Sequence, residues 1–495
     1  MTLRGVAKFF VEAKKPSVDI TIVDAPAIQT RKYGWNAKHR LAVLTNFEFL
    51  AIYDTCHFPL ENDSCTVARS RLYHYSEYVE KLDEICGLIS RSTVYSGAFD
   101  QYLDANFPAS GGQTQQVDEL FLSQINNWRI ALSNELYAKG GRYTSLEVLN
   151  DVVQEFINQI VFLRICEDRN LPLYHNLKEA ITDKAQLQES LEQLFRAADQ
   201  RYNSGMFSGD DIIFDLSCDV ITNMIEGLYY PQSPYLFNII EPHLLGKIYE
   251  LFLTEQLVLL ENGTIGLQQK RECLNRSVVT TPTEIVKYMV EKTLAKECQN
   301  KTPEELLELR IADIACGSGV FLEEAFSYLQ NYCVQWYLNA GQQNHLEEIG
   351  IDLYKLPLAE KKKLLCSCIY SIDIDIHAVE VAKFSLLVKL IENETEPSVE
   401  TVVPILPDLS ANIFFGNALV SEKELIGITG ADSQRLEIVP FDWEKINNGE
   451  CFDAIIGNPP YVNTEGMHAL LPSSEVEIYK KKYKTSYKQF DKYFI

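Results

Sequence analysis

The sequence lacks any segment that could hold the protein in a membrane. No apolar run approaches the ~18 residues that a membrane-spanning helix needs. The first residues also lack the basic, apolar and small-residue regions of a signal peptide. We therefore expect a soluble, cytoplasmic protein with no membrane partner.

Metal-binding patterns are missing as well. The 12 cysteines are scattered, and Cys366 and Cys368 form the one close pair. No second pair and no histidine cluster accompanies them, so the ligand spacing of a zinc site is absent. We expect reduced, buried thiols and no structural metal.

Positive charge is scarce. The chain has 45 Lys and Arg residues against 69 Asp and Glu residues, which gives a net charge of -24. Affinity for nucleic acid depends on cations that meet phosphates, so this balance disfavours an extended nucleic-acid-binding surface. With 46% hydrophobic residues, the 495-residue chain can still bury sizeable cores and suits two or three domains.

The most informative motif present is Asn458-Pro459-Pro460-Tyr461, which follows an apolar run. Residues 454–456 predict a buried parallel strand, and open α/β sheets bind ligands at the carboxyl ends of such strands. The prolines have no N–H donors, Asn458 supplies one acceptor and one NH₂ donor, and Tyr461 supplies a flat face. These groups could hold a planar exocyclic amine, although a plain proline-rich turn has the same composition.

A second motif upstream has the pattern of a strand, a glycine-rich turn and a helix. The strand is predicted at 311–315, and Gly317 and Gly319 would let the backbone approach a ligand before the helix begins. Asp373 ends the next predicted strand, where an acid can bind the hydroxyls of a ribose, and Asn417 follows a later one. A Gly-x-Gly alone is weak evidence, because many isolated matches are plain turns.

The order of these motifs resembles that of the S-adenosylmethionine-dependent N6-adenine DNA methyltransferases, over residues 271–495. The resemblance implies an α/β fold, a class I (Rossmann-like) methyltransferase domain, with S-adenosyl-L-methionine as cofactor. It also implies that Asn458, Pro459, Pro460 and Tyr461 hold the target base. The cofactor-binding residues that it implies are Thr281, Asp313, Gly317, Gly319, Asp373 and Asn417.

The implied chemistry is methyl transfer to N6 of an adenine flipped out of double-stranded DNA. The Asn458 side-chain oxygen and the Pro459 carbonyl would accept the two N6 hydrogens while the base stacks on Tyr461. A sulfonium is an excellent leaving group, so positioning and electrostatics suffice and no strong general base is needed. Thr281 also opens a Thr-Pro-Thr-Glu pattern, which predicts a capping box with Pro282 as the first helical residue.

The N-terminal end carries a different signal. Glu12 and Lys14 share one face of a predicted strand, where a carboxylate could hold Mg²⁺ and an ammonium could orient the attacking water. Glu-x-Lys is also common on solvated strand faces. Together with Gln29 and the following segments up to Phe47, it resembles the PD-(D/E)xK nuclease module of type IIG restriction–modification enzymes, which is fused to an adenine methyltransferase through a helical connector.

Both ends depart from that family. Residues 1–11 contain no acid to complete the metal site, and Mg²⁺ held by one carboxylate binds weakly. Asp19 or Asp24 could substitute only through an unusual fold-back, so we expect a nuclease remnant, no restriction activity, and Mg²⁺ only where a complete site exists. After Tyr461 the later sheet strands and the target-recognition domain are missing, which predicts either a truncated chain or a second chain that completes the fold.

The sequence suggests three segments. They are a nuclease-like remnant at 1–107, a helical connector at 112–270 and the methyltransferase domain at 271–495, incomplete at its C-terminus. In the connector, one face of a long helix is predicted to be core, at Leu149, Val153, Phe156, Ile160 and Leu163. A basic, aromatic stretch from Tyr479 to Lys488 predicts either contact with the DNA backbone or a solvated loop.

Two interpretations that assign other classes of function stay open. One is a methyltransferase that acts on a protein glutamine or on RNA, since Asn-Pro-Pro-Tyr also suits a carboxamide or another flat amine. The nuclease-like N-terminus argues for DNA instead. The other is a truncated, non-catalytic remnant that binds cofactor or a partner chain without turnover.

Overall fold

The computed structural model describes residues 2–3, 6–56, 58–107, 113–173, 176–202, 206–207, 212–229, 232–233, 235–237, 254–270, 281–350, 353–400, 402–425, 438–446, 451–462, 466–467, 471, 473–486 and 492. The chain divides into two compact units. Unit 1 comprises Met1–Ile125 and Ile221–Glu241, and unit 2 comprises Asn126–Val220 and Pro242–Ile495. The start of the predicted methyltransferase segment, at 271–280, lies outside the described residues.

Unit 1 is built around a mixed sheet with the strand order β3-β4-β5-β6. Strands β3 and β4 are parallel, while β4, β5 and β6 are antiparallel. A parallel pair needs a crossover, and helix α1 supplies it. The elements in chain order are β1 Thr2–Leu3, β2 Val6–Ala7, β3 Phe10–Ala13, α1 Asp24–Asn36, β4 Leu41–Thr45, β5 Phe49–Asp54, β6 Arg69–His74, α2 Leu82–Ile89, α3 Arg91–Ser96 and α4 Ala98–Asn106.

Strand β4 lies at the centre of this unit because both of its faces are covered. Leu41 and Val43 pack with Phe99 on one side, and Leu44 packs with Ile20 on the other. A strand that is buried on both faces has a continuous apolar sequence, as residues 41–44 do.

The helical part of the chain follows. Its described helices are α5 Gln113–Lys139, α6 Leu146–Asp168, α7 Asn176–Ala180, α8 Leu187–Tyr202 and α9 Cys218–Glu226. The predicted core face of α6 is confirmed, since Leu149, Val153, Phe156, Ile160 and Leu163 are all buried. Burial extends to most of the helix circumference, so α6 is a central helix of unit 2 rather than a surface helix with one apolar stripe.

The predicted helical connector also contains a β-hairpin, made by β7 Glu255–Leu259 and β8 Ile265–Gln269. Its turn includes Asn262 and Gly263, and Gly263 has a φ of 81°. An Asn-Gly pair between apolar strands is a strong hairpin signal, because the left-handed backbone that it needs costs Gly nothing.

Unit 2 ends in a parallel sheet with the described strand order β13-β12-β9-β14. This is the predicted α/β architecture of a methyltransferase. The elements are α10 Thr283–Glu297, α11 Pro303–Leu306, β9 Ile311–Asp313, α12 Val320–Asn339, β10 Glu347–Gly350, β11 Leu353–Lys355, α13 Leu358–Cys368, β12 Ile369–Asp373, α14 Ile376–Leu390, α15 Glu396–Val399, β13 Ile413–Phe415, α16 Glu422–Leu425, β14 Ala454–Ile455 and α17 Ser473–Lys482.

No helix among these described residues is long and apolar enough to cross a membrane. The described cysteines carry free thiols.

Candidate functional site

The predicted site residues of unit 2 gather at one edge of the parallel sheet. All four strands run in the same direction, so Asp313, Asp373 and the residues that follow β13 and β14 lie at their carboxyl ends. Strand β9, which ends in Asp313, is paired with both β12 and β14. The edge therefore brings together groups that are far apart in the sequence.

The glycine turn after β9 is shaped by two left-handed residues. Gly317 has a φ of 53° and Gly319 has a φ of 87°. The Gly317 N–H donates to Asp373 Oδ2 at 2.9 Å, which ties the turn to the neighbouring strand. A Cβ on Gly319 would lie 3.1 Å from Ala382 Cβ on α14, so this glycine lets α12 begin against α14.

Asp313 is a buried carboxylate with incomplete hydrogen bonding. Its Oδ1 accepts the Ala315 N–H at 3.0 Å, while its buried Oδ2 has no hydrogen-bond partner among the described residues. Burial, with a smaller contribution from the Asp373 charge, raises the pKa of Asp313 to about 7. The backbone of Gly457 passes so close that a Cβ there would lie 2.5 Å from Asp313 Oδ1. A buried carboxylate left in this state is suited to a cationic ligand group.

Asp373 and Asp375 have separate tasks. Burial raises the pKa of Asp373 to about 6, although hydrogen bonds from the Asp375 and Gly317 N–H groups favour its charged form. Asp375 is the N-cap of α14, where it accepts the His377 N–H at 2.9 Å. Its other oxygen accepts from Lys270 Nζ at 3.1 Å. The Asp-x-Asp pattern before an apolar helix could have predicted this cap, because Asp is a favoured N-cap residue.

The Asn458 loop leaves the sheet directly after β14. The Ile456 N–H still donates to the Ala312 carbonyl at 2.9 Å, so the loop begins from the sheet itself. Asn458 Nδ2 donates to Thr281 Oγ1 at 3.0 Å. Pro459 and Pro460 are half-buried, and Tyr461 is 58% exposed. The loop thus presents its side chains at the surface of this edge.

The capping box predicted at Thr281 is wrong. Helix α10 begins at Thr283 with Pro282 as its N-cap, and no side chain caps it. Proline fixes the extended backbone and contributes a carbonyl, which accepts the first helical N–H groups from Ile285 and Val286. The Thr281 hydroxyl therefore has no capping role and contacts Asn458 instead.

Asn417 lies at the same edge in a buried polar network. Its Nδ2 donates to Glu475 Oε1 at 3.2 Å and to the Tyr479 hydroxyl at 3.0 Å, and its Oδ1 accepts the Leu419 N–H at 2.9 Å. Lys492 Nζ also donates to Glu475, at 3.4 Å. Neither Glu475 nor Lys492 was singled out in the sequence.

Part of the basic stretch is helical rather than a solvated loop. Helix α17 runs to Lys482 and places Tyr479 in the interior, and Lys482 donates to the Leu419 carbonyl at 3.0 Å. Contact of this stretch with the DNA backbone stays a prediction. The spacing of Glu475 and Tyr479, one helical turn apart, could have indicated a shared face.

Unit 1 brings the three predicted nuclease-remnant residues together. Lys14 Nζ donates to Glu12 Oε1 at 2.6 Å and to Gln29 Oε1 at 2.9 Å. Gln29 Nε2 donates to the Tyr33 hydroxyl at 3.1 Å. The carboxylate of Asp19 instead accepts from Thr21. Among the described residues, no group of three His, Cys, Asp or Glu side chains is placed to hold a metal ion.

The other acid considered for that site, Asp24, is also engaged elsewhere. Its Oδ1 accepts the Cys65 N–H at 2.6 Å.

The residues at the unit 2 edge fit S-adenosylmethionine. Asp313 Oδ2, which has no partner among the described residues, suits an ammonium group, and the partly buried Asp373 can accept from a ribose hydroxyl beside its backbone donors. Gly317 provides open backbone, since a Cβ there would meet nothing within 4 Å. Asn417 fits less directly, because its side chain is already hydrogen-bonded within the chain.

Comparison with known proteins finds similar restriction–modification methyltransferases. Residues 367–495 match the family model of the Eco57I restriction-modification methylase. The chain is 44% identical over 490 residues to the Type II restriction enzyme and methyltransferase RM.Eco57I of Escherichia coli. The resemblance predicted from the motifs is confirmed.

The restriction–modification resemblance extends over 99% of this chain and 48% of the E. coli protein, so the chain spans about half the length of that relative. Among solved structures, the DrdV–DNA complex aligns at 13% identity with a TM-score of 0.39, over 96% of this chain and 39% of that one. The type IIG restriction endonuclease BpuSI aligns at 15% identity with a TM-score of 0.28, over 91% and 39%.

Proposed function

We propose that this chain carries the cofactor site and the catalytic loop of a restriction–modification DNA methyltransferase that acts on adenine N6. The observation that carries the proposal is the Asn458 loop, which starts at the carboxyl end of β14 and passes directly against buried Asp313. Placing a target-holding loop beside a cofactor-binding acid is the arrangement that methyl transfer requires.

In this proposal the residues of unit 2 bind and orient. Asp313 and the turn at Gly317 and Gly319 hold the methionine end of S-adenosyl-L-methionine, and Asp373 holds its ribose. The cofactor supplies an electrophilic methyl group on a sulfonium, which needs no activation by the protein. We also propose Thr281 and Asn417 as cofactor-binding residues. For Asn417, this role requires its internal hydrogen bonds to rearrange.

The loop selects and aligns the amine. Asn458 Oδ1 and the Pro459 carbonyl accept the two N6 hydrogens of a flipped adenine, and the ring stacks on exposed Tyr461. Two acceptors at one nitrogen weaken its conjugation with the ring and aim its lone pair at the methyl group. The proton leaves afterwards, so the loop needs no strong base.

We propose double-stranded DNA as the partner of unit 2. We propose a second chain with a target-recognition domain as a further partner. The net charge of -24 supports this proposal, since DNA affinity requires cations that this chain has in short supply.

The test is transfer of labelled methyl from S-adenosylmethionine by the purified chain, offered duplex DNA of mixed sequence, RNA and glutamine-containing peptides in parallel. We expect label on adenine N6, and we expect its loss in Asn458→Ala. Asn331→Ala, an exposed truncation on α12, serves as the matched control. Label on glutamine or RNA in preference to DNA would instead support the alternative substrates. Cofactor binding without transfer to any substrate would indicate the non-catalytic remnant.

The contacts of Glu12, Lys14 and Gln29 in unit 1 raise the question of metal-assisted phosphodiester hydrolysis. We propose that these residues are a nuclease remnant that does not cut DNA, and that Mg²⁺ binds only where a further acid completes the site. The measurement is cleavage of supercoiled plasmid with Mg²⁺. Nicking that Lys14→Met abolishes would contradict this proposal.

A further inference from the structure

The hydroxyl of Thr281 and the amide of Asn458 form a hydrogen bond between residues 177 positions apart. Asn458 Nδ2 donates to Thr281 Oγ1 at 3.0 Å, and both residues are half-buried. Because Pro282 is the N-cap of α10, the helix makes no use of this hydroxyl. The bond joins the segment before α10 to the loop that leaves β14.

With Nδ2 on Thr281, the acceptor end of the Asn458 amide is the end available to a target. A carboxamide has an acceptor oxygen at one end and an NH₂ donor at the other. An amine target offers N–H donors, so it needs the oxygen. Only when Nδ2 lies on Thr281 does Oδ1 face away toward such a target. The opposite orientation would set donors against donors.

The hydroxyl also satisfies the amide nitrogen in that state. A half-buried NH₂ group without a partner is costly, and Thr281 gives it an acceptor while the oxygen serves the target. Pro282 restricts the conformation of the preceding residue to the extended region, which keeps Thr281 in place on the loop. Removing the hydroxyl would let the amide rotate between orientations.

We propose that Thr281 is a positioning residue that acts through Asn458, orienting its amide so that Oδ1 accepts from the target amine. The proposal rests on the proposed methyl transfer and deepens it, because it assigns Thr281 to target alignment in addition to the cofactor side. The chemical class of target that it favours is a primary amine rather than a carbonyl.

The test compares three variants of the full chain. Thr281→Val removes the hydroxyl at nearly constant volume, Thr281→Ser keeps it, and Thr283→Val is the matched control two residues away at the start of α10. We expect Thr281→Val to lower kcat about 10-fold, in line with the loss of one hydrogen bond that orients Asn458. We expect Thr281→Ser to restore kcat, and the KM for DNA to stay nearly constant in both variants.

A second readout is independent of turnover. In protein labelled with ¹⁵N-asparagine, the signal of the Asn458 side-chain NH₂ is identified by its loss in Asn458→Ala. We expect this signal to shift and to exchange faster with water in Thr281→Val, and to stay in place in Thr281→Ser and Thr283→Val. This measurement also decides the matter if the wild-type chain transfers no methyl group, an outcome that would count against the proposed function alone.

Three outcomes would overturn the inference. An unchanged Asn458 signal in Thr281→Val would show that the bond does not exist in solution. A large rise in cofactor Kd with unchanged kcat would show that Thr281 serves the cofactor only. Equal losses in Thr281→Val, Thr281→Ser and Thr283→Val would show a purely structural role for this segment.

Discussion

The two clusters of predicted site residues differ in how their polar groups are satisfied. In unit 1, Glu12, Lys14 and Gln29 hydrogen-bond to one another. In unit 2, Asp313 has a buried oxygen with no partner among the described residues, and its pKa is raised to about 7. The first cluster is hydrogen-bonded among its own side chains, whereas the second retains an acceptor oxygen that no described residue satisfies.

This difference in hydrogen bonding distinguishes a polar cluster that is bonded internally from a candidate binding site. A buried polar atom without a partner destabilises a protein, so a ligand group that hydrogen-bonds to it would be bound favourably. Glu394 offers an internal reference in unit 2. It is also a buried carboxylate, but Lys361 and Lys355 donate to it at 2.6 and 2.8 Å. Burial acts to raise the pKa of Glu394, and these ammonium groups outweigh that effect and lower it.

The largest effect on methyl transfer is expected from adding a side-chain atom between Asp313 and the Asn458 loop. A Cβ in Gly457→Ala would lie 2.5 Å from Asp313 Oδ1 and 2.9 Å from its Cγ, so the loop must move away from the sheet. A shift near 1 Å at a reacting centre costs about 100-fold in rate, and we expect kcat for methyl transfer to fall by about that factor. Kinetics with Gly87→Ala as control would measure it, because a Cβ at Gly87 meets nothing within 4 Å. Unchanged kcat would show that the loop tolerates displacement.

Removing Asp373, the proposed ribose-binding acid, should affect binding of the cofactor rather than of the target. Asp373→Ala deletes a carboxylate that also anchors Gly317, and we expect the Kd for S-adenosylmethionine to rise about 10- to 100-fold. Asn458→Ala should leave that Kd nearly unchanged. Isothermal titration of both variants tests the division of roles, which fails if the two lose affinity alike.

Asp313→Asn should stabilise the protein in the absence of cofactor, while weakening cofactor binding. The folded pKa of about 7 exceeds the usual 3.8, so the stability linked to this carboxyl is present below pH 3.8 and is lost as pH rises through 7. We expect the variant to gain on the order of 2 kcal/mol at pH 8, with little change at pH 4. Thermal unfolding at the two pH values measures it.

Glu394→Gln is the matched control for Asp313→Asn, with the opposite sign. The pKa of Glu394 is lowered, so its contribution to stability is present above the usual 4.5 and is lost as pH falls through the lower folded value. We expect this variant to be less stable than the wild type at pH 8, with the difference shrinking in acid. If the stability of both variants changed with pH in the same direction, the distinction between the unpaired carboxylate of Asp313 and the ion-paired carboxylate of Glu394 would be wrong.

The smallest effect is expected in unit 1. The side chains of Lys14 and Glu12 are 24% and 22% exposed, and partly exposed ion pairs contribute about 0–1 kcal/mol. Lys14→Met should therefore shift the melting temperature slightly and leave methyl transfer unchanged. Calorimetry and the transfer assay check both points. A tenfold loss of transfer would mean that the unit 1 cluster supports the methyltransferase site.

Much of unit 2 was predictable because its signals are local. The strands at Ile311–Asp313, Ile369–Asp373 and Ile413–Phe415 are short apolar runs that end in polar residues or glycine, and the structure has them where the pattern indicates. The buried face of α6 followed from its periodicity in the same way. The hairpin with Asn262 and Gly263 was equally local and was overlooked.

The roles of individual side chains were harder to predict, because they depend on partners distant in sequence. Thr281 was expected to cap α10 but bonds to Asn458, since Pro282 takes the N-cap position. Asn417 is predicted to bind the cofactor, and its side chain bonds to Glu475 and Tyr479, which lie 58 and 62 positions further along the chain. The boundaries of the three sequence segments stay a prediction, and the two compact units group the chain differently.

By itself, the sequence determined which elements form and which motifs can carry chemistry, because hydrophobic periodicity, glycine and proline act on their immediate neighbours. Only the tertiary structure decided that Asp313 keeps an oxygen without a partner in the described part of the chain, that Gly457 passes against Asp313 and that Thr281 bonds to Asn458. Burial and hydrogen bonding across the sheet edge are properties of packed strands, and packing joins residues that no local pattern connects.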